Sequence, residues 1–219
     1  RFFAALAQAR VNNVAIAQGS SERSISTVIE AKKAKKAVRV IHQNFFSDRH
    51  TIDVFLVGCG NVGTELLGQI ARQQPALLKR NIQLRVYGIA NSRKLLLNAQ
   101  GIDVSGDWQS ALSASEESLS VERLHQFVNS NSLVNPVIVD CTSHEAVASQ
   151  YVDMMEQGFH VVTPNKKANT DTMAYYRQLR RTAQNTNRQY LYETTVGAGL
   201  PVIDNLQKLF AAGDVLHQF

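Results

Sequence analysis

The residues with the clearest chemical potential form a glycine-rich loop, Gly58-Cys59-Gly60-Asn61-Val62-Gly63. The loop has the spacing G-x-G-x-x-G and lies between an apolar run, 52–57, and a helical pattern. In that context the first glycine permits a tight turn, the second lets a diphosphate approach the backbone, and the third allows close helix packing. The helix N-terminus then offers amide groups and a positive dipole to the phosphates. The pattern predicts dinucleotide binding by Gly58, Gly60, Asn61, Val62 and Gly63; a glycine-rich turn without a ligand is the alternative.

The end of the next predicted strand, 82–90, bears on which dinucleotide the loop accepts. An acidic residue at that place normally binds the adenosine ribose, but here Ala90 is followed by Asn91-Ser92-Arg93. No carboxylate repels a 2′-phosphate, and Arg93 can pair with one. The segment predicts NADP over NAD, or the use of both. An ordinary surface arginine at position 93 is the alternative.

Polar residues also follow three later strands of the predicted sheet. They are Asp140-Cys141-Thr142-Ser143, Thr163-Pro164-Asn165-Lys166-Lys167 and Glu193-Thr194-Thr195. Ligands of open α/β sheets bind outside the carboxyl ends of the strands, so these clusters are expected to line one crevice. Helix capping and plain solvent exposure are the alternatives for each cluster taken alone.

A second glycine-containing segment, Val196-Gly197-Ala198-Gly199-Leu200-Pro201, follows the last predicted strand and opens a helix. Its glycines free the backbone carbonyls to point inward, where they could hold a monovalent cation. A turn that starts a helix without an ion is the simpler alternative, with Pro201 in the first helical turn.

Strand–helix alternation from residue 52 onwards predicts the scaffold that positions these clusters. It indicates an α/β fold with a Rossmann-type, mostly parallel sheet. The predicted strands are 52–57, 82–90, 136–140, 160–163 and 188–194, and the predicted helices are 62–73, 121–129, 144–157 and 170–186. The first of these helices is expected to bury Val62, Leu66 and Ile70 and to end before Pro75, and Trp108 is expected in a loop.

The first 48 residues have a different pattern, a helix, two strands and a second helix, which predicts a partial α+β segment. The strands 11–18 and 24–29 flank a turn at residues 19–23, and the helix 36–46 is expected to bury Val38, Ile41 and Phe45. Because so few elements cannot enclose a core, we expect the trailing part of a domain. The predicted division is 1–48 and 52–219, with a polar joint at 47–50.

Composition narrows the class of protein. The chain has 219 residues, 44% of them hydrophobic, two cysteines and a formal net charge of +5. These values exclude disordered and disulfide-stapled classes and suit a reducing, cytoplasmic setting. No apolar run approaches the ~20 residues that cross a bilayer, so no membrane partner is expected. The basic run 32–36 lacks interleaved aromatics, which favours a solvated surface over nucleic-acid binding.

Four ordered motifs over residues 52–201 resemble the nucleotide-binding half of homoserine dehydrogenases. They are the glycine loop, the strand end 137–143, His160-Val161-Val162-Thr163-Pro164-Asn165-Lys166-Lys167, and Glu193 through Pro201. The segment from Val11 through Phe46 resembles the last portion of the ACT regulatory region of aspartate kinases. Both in one chain imply a bifunctional aspartokinase/homoserine dehydrogenase of threonine and methionine biosynthesis.

The resemblance implies reversible hydride transfer between NAD(P)H and aspartate 4-semialdehyde, giving homoserine. It places Lys166 beside the nicotinamide, where a lysine could move a proton to the substrate carbonyl oxygen if desolvation lowers its pKa. It also implies a homo-oligomer. The resemblance also implies three binding roles. The nicotinamide end would contact Thr142, Ser143 and Pro164, and an amino-acid effector would contact Gln18. A monovalent cation such as sodium would be held by Glu193, Val196, Ala198 and Leu200.

In this family, a kinase domain precedes the segments matched here, and a substrate-binding, dimer-forming domain follows them. We therefore expect this chain to be a piece of a longer protein that binds dinucleotide but turns over little substrate alone. The main alternative is a non-catalytic regulatory module that senses a dinucleotide and an amino acid. Another NADP-dependent dehydrogenase of small aldehydes is a third possibility, which the 193–201 motif does not favour.

Overall fold

The computed structural model describes residues 2–19, 24–46 and 49–215. Four residues of the predicted turn, 20–23, and part of the predicted joint, 47–48, lie outside the described residues. The described residues form two sheets, one of two strands and one of six. No helix in the described ranges is long and apolar enough to cross a membrane.

The first sheet belongs to a small unit at the start of the chain. Helix α1 (Phe2–Gln8) precedes the antiparallel strands β1 (Asn13–Gln18) and β2 (Ile25–Ile29), and a 3-10 turn (Ala31–Lys33) leads into α2 (Ala34–Phe46). Strand order and helix placement agree with the predicted partial α+β segment.

The predicted buried stripe of α2 is wrong at Val38 and Phe45, whereas Ile41 is half-buried against the apolar cluster of the small unit. Val38 is 69% and Phe45 48% exposed, whereas Ala37 and Val40 are buried. Ala37 and Val40 pack with Ala5 and Leu6 of α1, so the buried face lies about one residue, or ~100°, away from Val38.

The second sheet begins with β3 (His50–Val57), α3 (Asn61–Lys79), β4 (Ile82–Ala90) and β5 (Leu95–Leu97), followed by α4 (Trp108–Ala114) and α5 (Val121–Ser130). Then come β6 (Pro136–Asp140), α6 (Glu145–Ala148), α7 (Tyr151–Glu156), β7 (His160–Val162), α8 (Lys167–Thr170), α9 (Met173–Thr186), β8 (Tyr190–Leu191) and α10 (Val202–Ala211).

The sheet order is β5-β4-β3-β6-β7-β8, and all neighbours are parallel except β4 and β5. Successive residues of β3 are buried on opposite faces, Phe55 and Val57 in one apolar cluster and Val54 and Leu56 in the other. Helices therefore cover both faces, as a parallel sheet requires. This confirms the predicted Rossmann-type, mostly parallel sheet.

The bounds of β4 and β6 agree with the predicted strands, but helix α3 differs from its prediction. It continues through Pro75 to Lys79. The proline removes one hydrogen bond and crowds the carbonyl of Ala71, but Leu77 and Leu78 beyond it are half-buried and their packing offsets this cost. Val62 is 58% exposed, because it lies in the first turn, beyond the tips of the strands.

Other predicted bounds are wrong near turns and caps. Trp108 starts α4 rather than lying in a loop, since the Asp107 carboxylate accepts from Ser110 N and caps that helix. The predicted helix 144–157 is split into α6 and α7, and Thr172 caps α9 after the separate helix α8. The predicted strand 188–194 shortens to β8, followed by a 3-10 turn at Glu193–Thr195.

Two arginines of the small unit join it to the large sheet unit. Arg10 Nη1 donates to Glu156 O over 2.6 Å at the end of α7, and Arg39 Nη1 donates to Asn131 O over 2.6 Å just past α5. Helix C-termini carry unpaired carbonyls and partial negative charge, so cationic donors stabilise them. Val134 completes the contact by packing in the apolar cluster of the small unit.

Candidate functional site

The glycine loop between β3 and α3 has little room for side chains. Gly58 has φ +97°, and a Cβ there would lie 2.9 Å from Cys141 C. A Cβ on Gly63 would lie 1.9 Å from Gly58 O, so the third glycine lets the helix pack directly on the turn. Gly60 has nothing within 4 Å of its would-be Cβ, which leaves its backbone open on one side. These are the three requirements of a diphosphate-binding turn.

Hydrogen bonds hold this loop at the tips of three neighbouring strands. Gly58 N donates to Ala90 O over 2.8 Å, Cys141 N donates to Val57 O over 2.7 Å, and Cys59 Sγ donates to Ala90 O over 3.2 Å. Burial raises the pKa of both the Cys59 and the Cys141 thiol to about 11. Both thiols are therefore protonated at neutral pH and are poor nucleophiles.

The first turn of α3 presents free amide groups to the loop. Its N-cap, Gly60, has no side chain to accept from them. The side chains of Asn61 and Val62 are exposed, so they leave the approach to the helix N-terminus open. The free amides and the positive end of the helix dipole at this N-terminus favour a phosphate group, so the residues present fit a dinucleotide.

A groove of about 740 Å³ extends from the glycine loop across the strand tips. Among the residues lining it are four predicted cofactor contacts from two other strand ends, Asn91, Arg93, Thr142 and Ser143. The structure thus brings the glycine loop, the 91–93 segment and the 142–143 segment together in one crevice.

The 91–93 segment is shaped by an asparagine turn. Asn91 Oδ1 accepts from Arg93 N and Lys94 N, each over 2.8 Å, and Asn91 N donates to Lys94 O over 3.0 Å. The Asn91 side chain is thus used in the turn that leads into β5, and Arg93 is left exposed at the rim of the groove.

A buried carboxylate joins the tips of β6 and β7. Asp140 is fully buried, and its carboxylate accepts from Thr142 N over 2.7 Å, from Asn165 Nδ2 over 3.0 Å and from the hydroxyl of Tyr151. Burial and the neighbouring Asp140 raise the pKa of Tyr151 well above its usual range, so the phenol stays a donor. An acceptor with donors on both oxygens is well satisfied.

Asn165 extends this network to the groove. Its Nδ2 also lies 3.1 Å from His144 O, and its backbone N donates to Thr163 Oγ1 over 2.8 Å. The network fixes the 142–144 segment, which lines the groove, against the segment that carries Lys166. Asp140 and Asn165 stand in predicted polar clusters, but Tyr151 was missed, since a tyrosine in a helical pattern gives no signal of its own.

Lys166 lies at the N-cap of α8, directly after Asn165, and its side chain is exposed. Pro164 is half-buried just before it. Neither residue lines the 740 Å³ groove. Lys166 therefore lies beside the groove and not inside it. The preceding residue, Asn165, contacts His144, which lines the groove.

The predicted cation residues form the turn between β8 and α10. The Glu193 carboxylate accepts from Ile203 N over 2.8 Å and Asp204 N over 2.9 Å, so it caps α10. Gly197 and Ala198 both have left-handed backbone, with φ +72° and +52°. Val196 and Leu200 are 49% and 66% exposed, and Leu200 O accepts from Val202 N. Pro201 is the N-cap rather than a residue of the first turn.

Comparison with known families decides the assignment. A model of the homoserine dehydrogenase NAD-binding domain matches residues 58–193. The chain belongs to the homoserine dehydrogenase family. An ACT domain model matches residues 1–45, ahead of the homoserine dehydrogenase segment. The chain therefore carries a homoserine dehydrogenase NAD-binding domain preceded by an ACT segment.

Curated relatives combine the same two parts. The chain is 52% identical over all its 219 residues to a bifunctional aspartokinase/homoserine dehydrogenase of Haemophilus influenzae, and 44% identical over 219 residues to one of Buchnera aphidicola. It spans 27% of the length of each.

Solved structures share the fold of this homoserine dehydrogenase segment. A protein of unknown function from Candida auris superposes with TM-score 0.65 at 27% identity, over 75% of this chain and 44% of that one. A homoserine dehydrogenase of Thermoplasma acidophilum gives TM-score 0.57 at 24% identity, over 74% of this chain and 49% of that one. A hyperthermophilic archaeal homoserine dehydrogenase in complex with NADPH gives TM-score 0.57 at 24% identity, over 72% and 48%.

Proposed function

We propose that this chain is the dinucleotide-binding part of a longer bifunctional aspartokinase/homoserine dehydrogenase, divided at residues 1–48 and 52–219. The longer protein would interconvert aspartate 4-semialdehyde and homoserine. The observation that carries the proposal is the open face of Gly60 at the uncapped start of α3, facing a groove shared with the 91–93 and 142–143 segments. A nicotinamide dinucleotide bound there would supply or accept the hydride.

NADP is the proposed cofactor, with NAD as a possible second. Arg93 would pair with the 2′-phosphate of the adenosine ribose, because it is exposed at the groove rim, and the described residues that line the groove include no carboxylate. The Gly58–Gly63 loop would hold the diphosphate, Ala90 and Asn91 would border the ribose, and Thr142, Ser143 and Pro164 would contact the nicotinamide end.

An affinity comparison tests the cofactor assignment. NADPH should bind the chain more tightly than NADH, and Arg93→Gln should weaken NADPH binding about tenfold while NADH binding stays the same. Arg80→Gln, at the exposed end of α3, is the matched control. A clear preference of the unaltered chain for NADH would contradict the assignment.

Lys166 is the proposed catalytic residue. It would hold or donate a proton at the substrate carbonyl oxygen, a task for which it must leave solvent when the longer protein closes over the site. The Asn165 contacts to Asp140 and His144 support this by fixing the backbone from which Lys166 projects. In the longer protein, Lys166→Ala should abolish most turnover and leave NADPH affinity intact, with Lys79→Ala as a surface control.

The second proposed site would hold a monovalent cation such as sodium. Backbone carbonyls of Val196, Ala198 and Leu200 would be its ligands, supported by the left-handed backbone at 197–198. Glu193 would contribute through charge, since its carboxylate also caps α10.

The ACT segment would bind an amino-acid effector near Gln18, which is exposed at the end of β1. The longer protein would be a homo-oligomer in the cytoplasm, without a nucleic-acid or membrane partner. Both cysteines are free thiols, which suits a reducing compartment.

A sensor without catalysis is the competing function. It would use the same groove and the same ACT segment but would have no turnover for Lys166→Ala to remove. The kinetic experiment on the longer protein separates the two functions, because only an enzyme oxidises NADPH in the presence of aspartate semialdehyde.

A further inference from the structure

A second cavity, of about 500 Å³, lies between the small unit and the large sheet unit and shares no lining residue with the dinucleotide groove. Its charged lining is strongly unbalanced. Among the described residues it has one carboxylate, that of Glu156, and five cationic side chains, those of Arg10, Lys32, Lys33, Lys36 and Arg188.

Four of these cations have partners within the protein. Arg188 Nη1 lies 3.1 Å from His160 Nε2. Arg10 Nη1 donates to Glu156 O over 2.6 Å, at the negative end of α7. Lys33 Nζ donates to Arg10 O over 3.2 Å, just past α1. Lys32 pairs with Glu30 over 2.8 Å. Of these, Lys32 and Lys33 belong to the basic run 32–36, which the sequence pattern assigned to a solvated surface, and Lys32 is exposed as expected.

Lys36 differs from them. It lies in the first turn of α2, three residues after Lys33, and is half-buried, whereas Lys35 is exposed. Within the described ranges its ammonium has no hydrogen bond or ion pair. Burial, Arg188, Arg10 and Lys33 all lower the pKa of Lys36. A half-buried cation surrounded by cations is unfavourable unless an anion joins it.

Arg188 and His125 face this space from the large unit. Arg188 is 9% exposed, and His125 on α5 is half-buried. Burial, Lys36 and Arg10 lower the pKa of His125 and Asp153 raises it, so the ring is largely neutral at pH 7. The cationic groups therefore converge from both units on one cleft, and its volume of about 500 Å³ is of the size that small-molecule sites occupy.

We propose that this cavity binds a multivalent oxyanion, a small molecule carrying phosphate groups or several carboxylates, with Lys36 as its principal charged contact. Arg188 adds a guanidinium from the opposite wall. Because the lining comes from both units, the anion also fastens the ACT segment to the NAD-binding domain. This site is separate from the proposed cofactor and effector sites.

A calorimetric titration of the 219-residue chain tests the site. NADPH is kept saturating, so that the groove is filled, and ionic strength is held constant while pyrophosphate or citrate is added. Saturable binding of either anion is expected, and the stronger of the two identifies phosphate or carboxylate chemistry. Lys36→Gln should weaken it about tenfold and the matched Lys35→Gln should not. No saturable binding, or equal loss in both variants, overturns the proposal.

Thermal melting gives a second readout. Without anion, Lys36→Gln should melt at or above the temperature of the unaltered chain, because it removes a repulsion. The anion should raise the melting temperature of the unaltered chain and of Lys35→Gln but not that of Lys36→Gln. If Lys36→Gln melts lower without anion, Lys36 has a structural partner and the proposal is wrong. If NADPH does not bind and the groove stays empty, the loss of anion binding in Lys36→Gln still assigns the anion to this cavity and not to the groove.

Discussion

Asn165 Nδ2 lies 3.0 Å from the fully buried Oδ2 of Asp140, and this contact ties the tip of β7 to the tip of β6. The same carboxylate accepts from Thr142 N over 2.7 Å. One buried charge thus fixes a segment of the groove and the segment that carries Lys166.

Replacing this carboxylate with an amide should be costly. Asp140→Asn turns one acceptor into a donor that faces the donors Asn165 or Thr142, so we expect a loss of about 2–4 kcal/mol in the free energy of unfolding. Urea denaturation measures it. Glu116→Gln, which removes a carboxylate from an exposed position, should change stability by less than about 0.5 kcal/mol. Equal stability of Asp140→Asn and the unaltered chain would contradict the assigned network.

The glycines of the loop allow binding and folding to be tested separately. Gly60→Ala meets no atom within 4 Å, so it should leave the melting temperature nearly unchanged but weaken NADPH binding by about tenfold or more, because the methyl group occupies the diphosphate side. Fluorescence titration with NADPH measures the affinity.

Gly63→Ala is the contrasting variant. Its Cβ would lie 1.9 Å from Gly58 O, so helix α3 must move and stability should fall by about 2 kcal/mol or more. Gly199→Ala, which also meets nothing within 4 Å, is the control and should change neither property. Full NADPH affinity in Gly60→Ala would place the diphosphate elsewhere.

Arg39 should stabilise the junction between the two units. Arg39→Gln removes the donor to Asn131 O beyond α5, which should cost about 1 kcal/mol of unfolding free energy. Differential scanning calorimetry measures the change. Lys35→Gln, on the exposed side of the same helix, serves as control and should melt like the unaltered chain.

Acid should destabilise the chain partly through His160. Burial, then Arg188, lowers the pKa of His160 to about 4, while Nδ1 accepts from Gln189 N over 3.0 Å. Since the unfolded state binds the proton more readily, the stabilisation is complete above about pH 6.5 and is lost as pH falls towards 4.

The contribution of His160 can be isolated by difference. After a discount for solvent screening, His160 should contribute about 1–2 kcal/mol to the free energy of unfolding at pH 7, and this contribution should be lost by pH 4. His160→Asn should flatten this part of the pH dependence in urea denaturation, whereas His42→Asn, at an exposed position on α2, should not. An unchanged slope in His160→Asn would contradict the lowered pKa.

The sequence by itself determined the features that depend on local residue order. Alternating apolar runs and helical patterns specify the strand–helix succession. The bounds of β4 and β6 follow from apolar and β-branched residues between polar turn residues. The glycine spacing and the polar residues after each strand identified the crevice, because the carboxyl ends of parallel strands must share an edge.

Only the tertiary structure decided which face of each helix is buried and which polar groups meet. Val38 and Phe45 are exposed because α2 packs on Ala5 and Leu6 of α1 through Ala37 and Val40. Helix α3 continues past Pro75 because Leu77 and Leu78 still pack. Asp140, Tyr151 and Asn165 come together over sequence separations of up to 25 residues. Such contacts, like the convergence of Lys36 and Arg188, depend on how elements are placed in space, which local patterns do not encode.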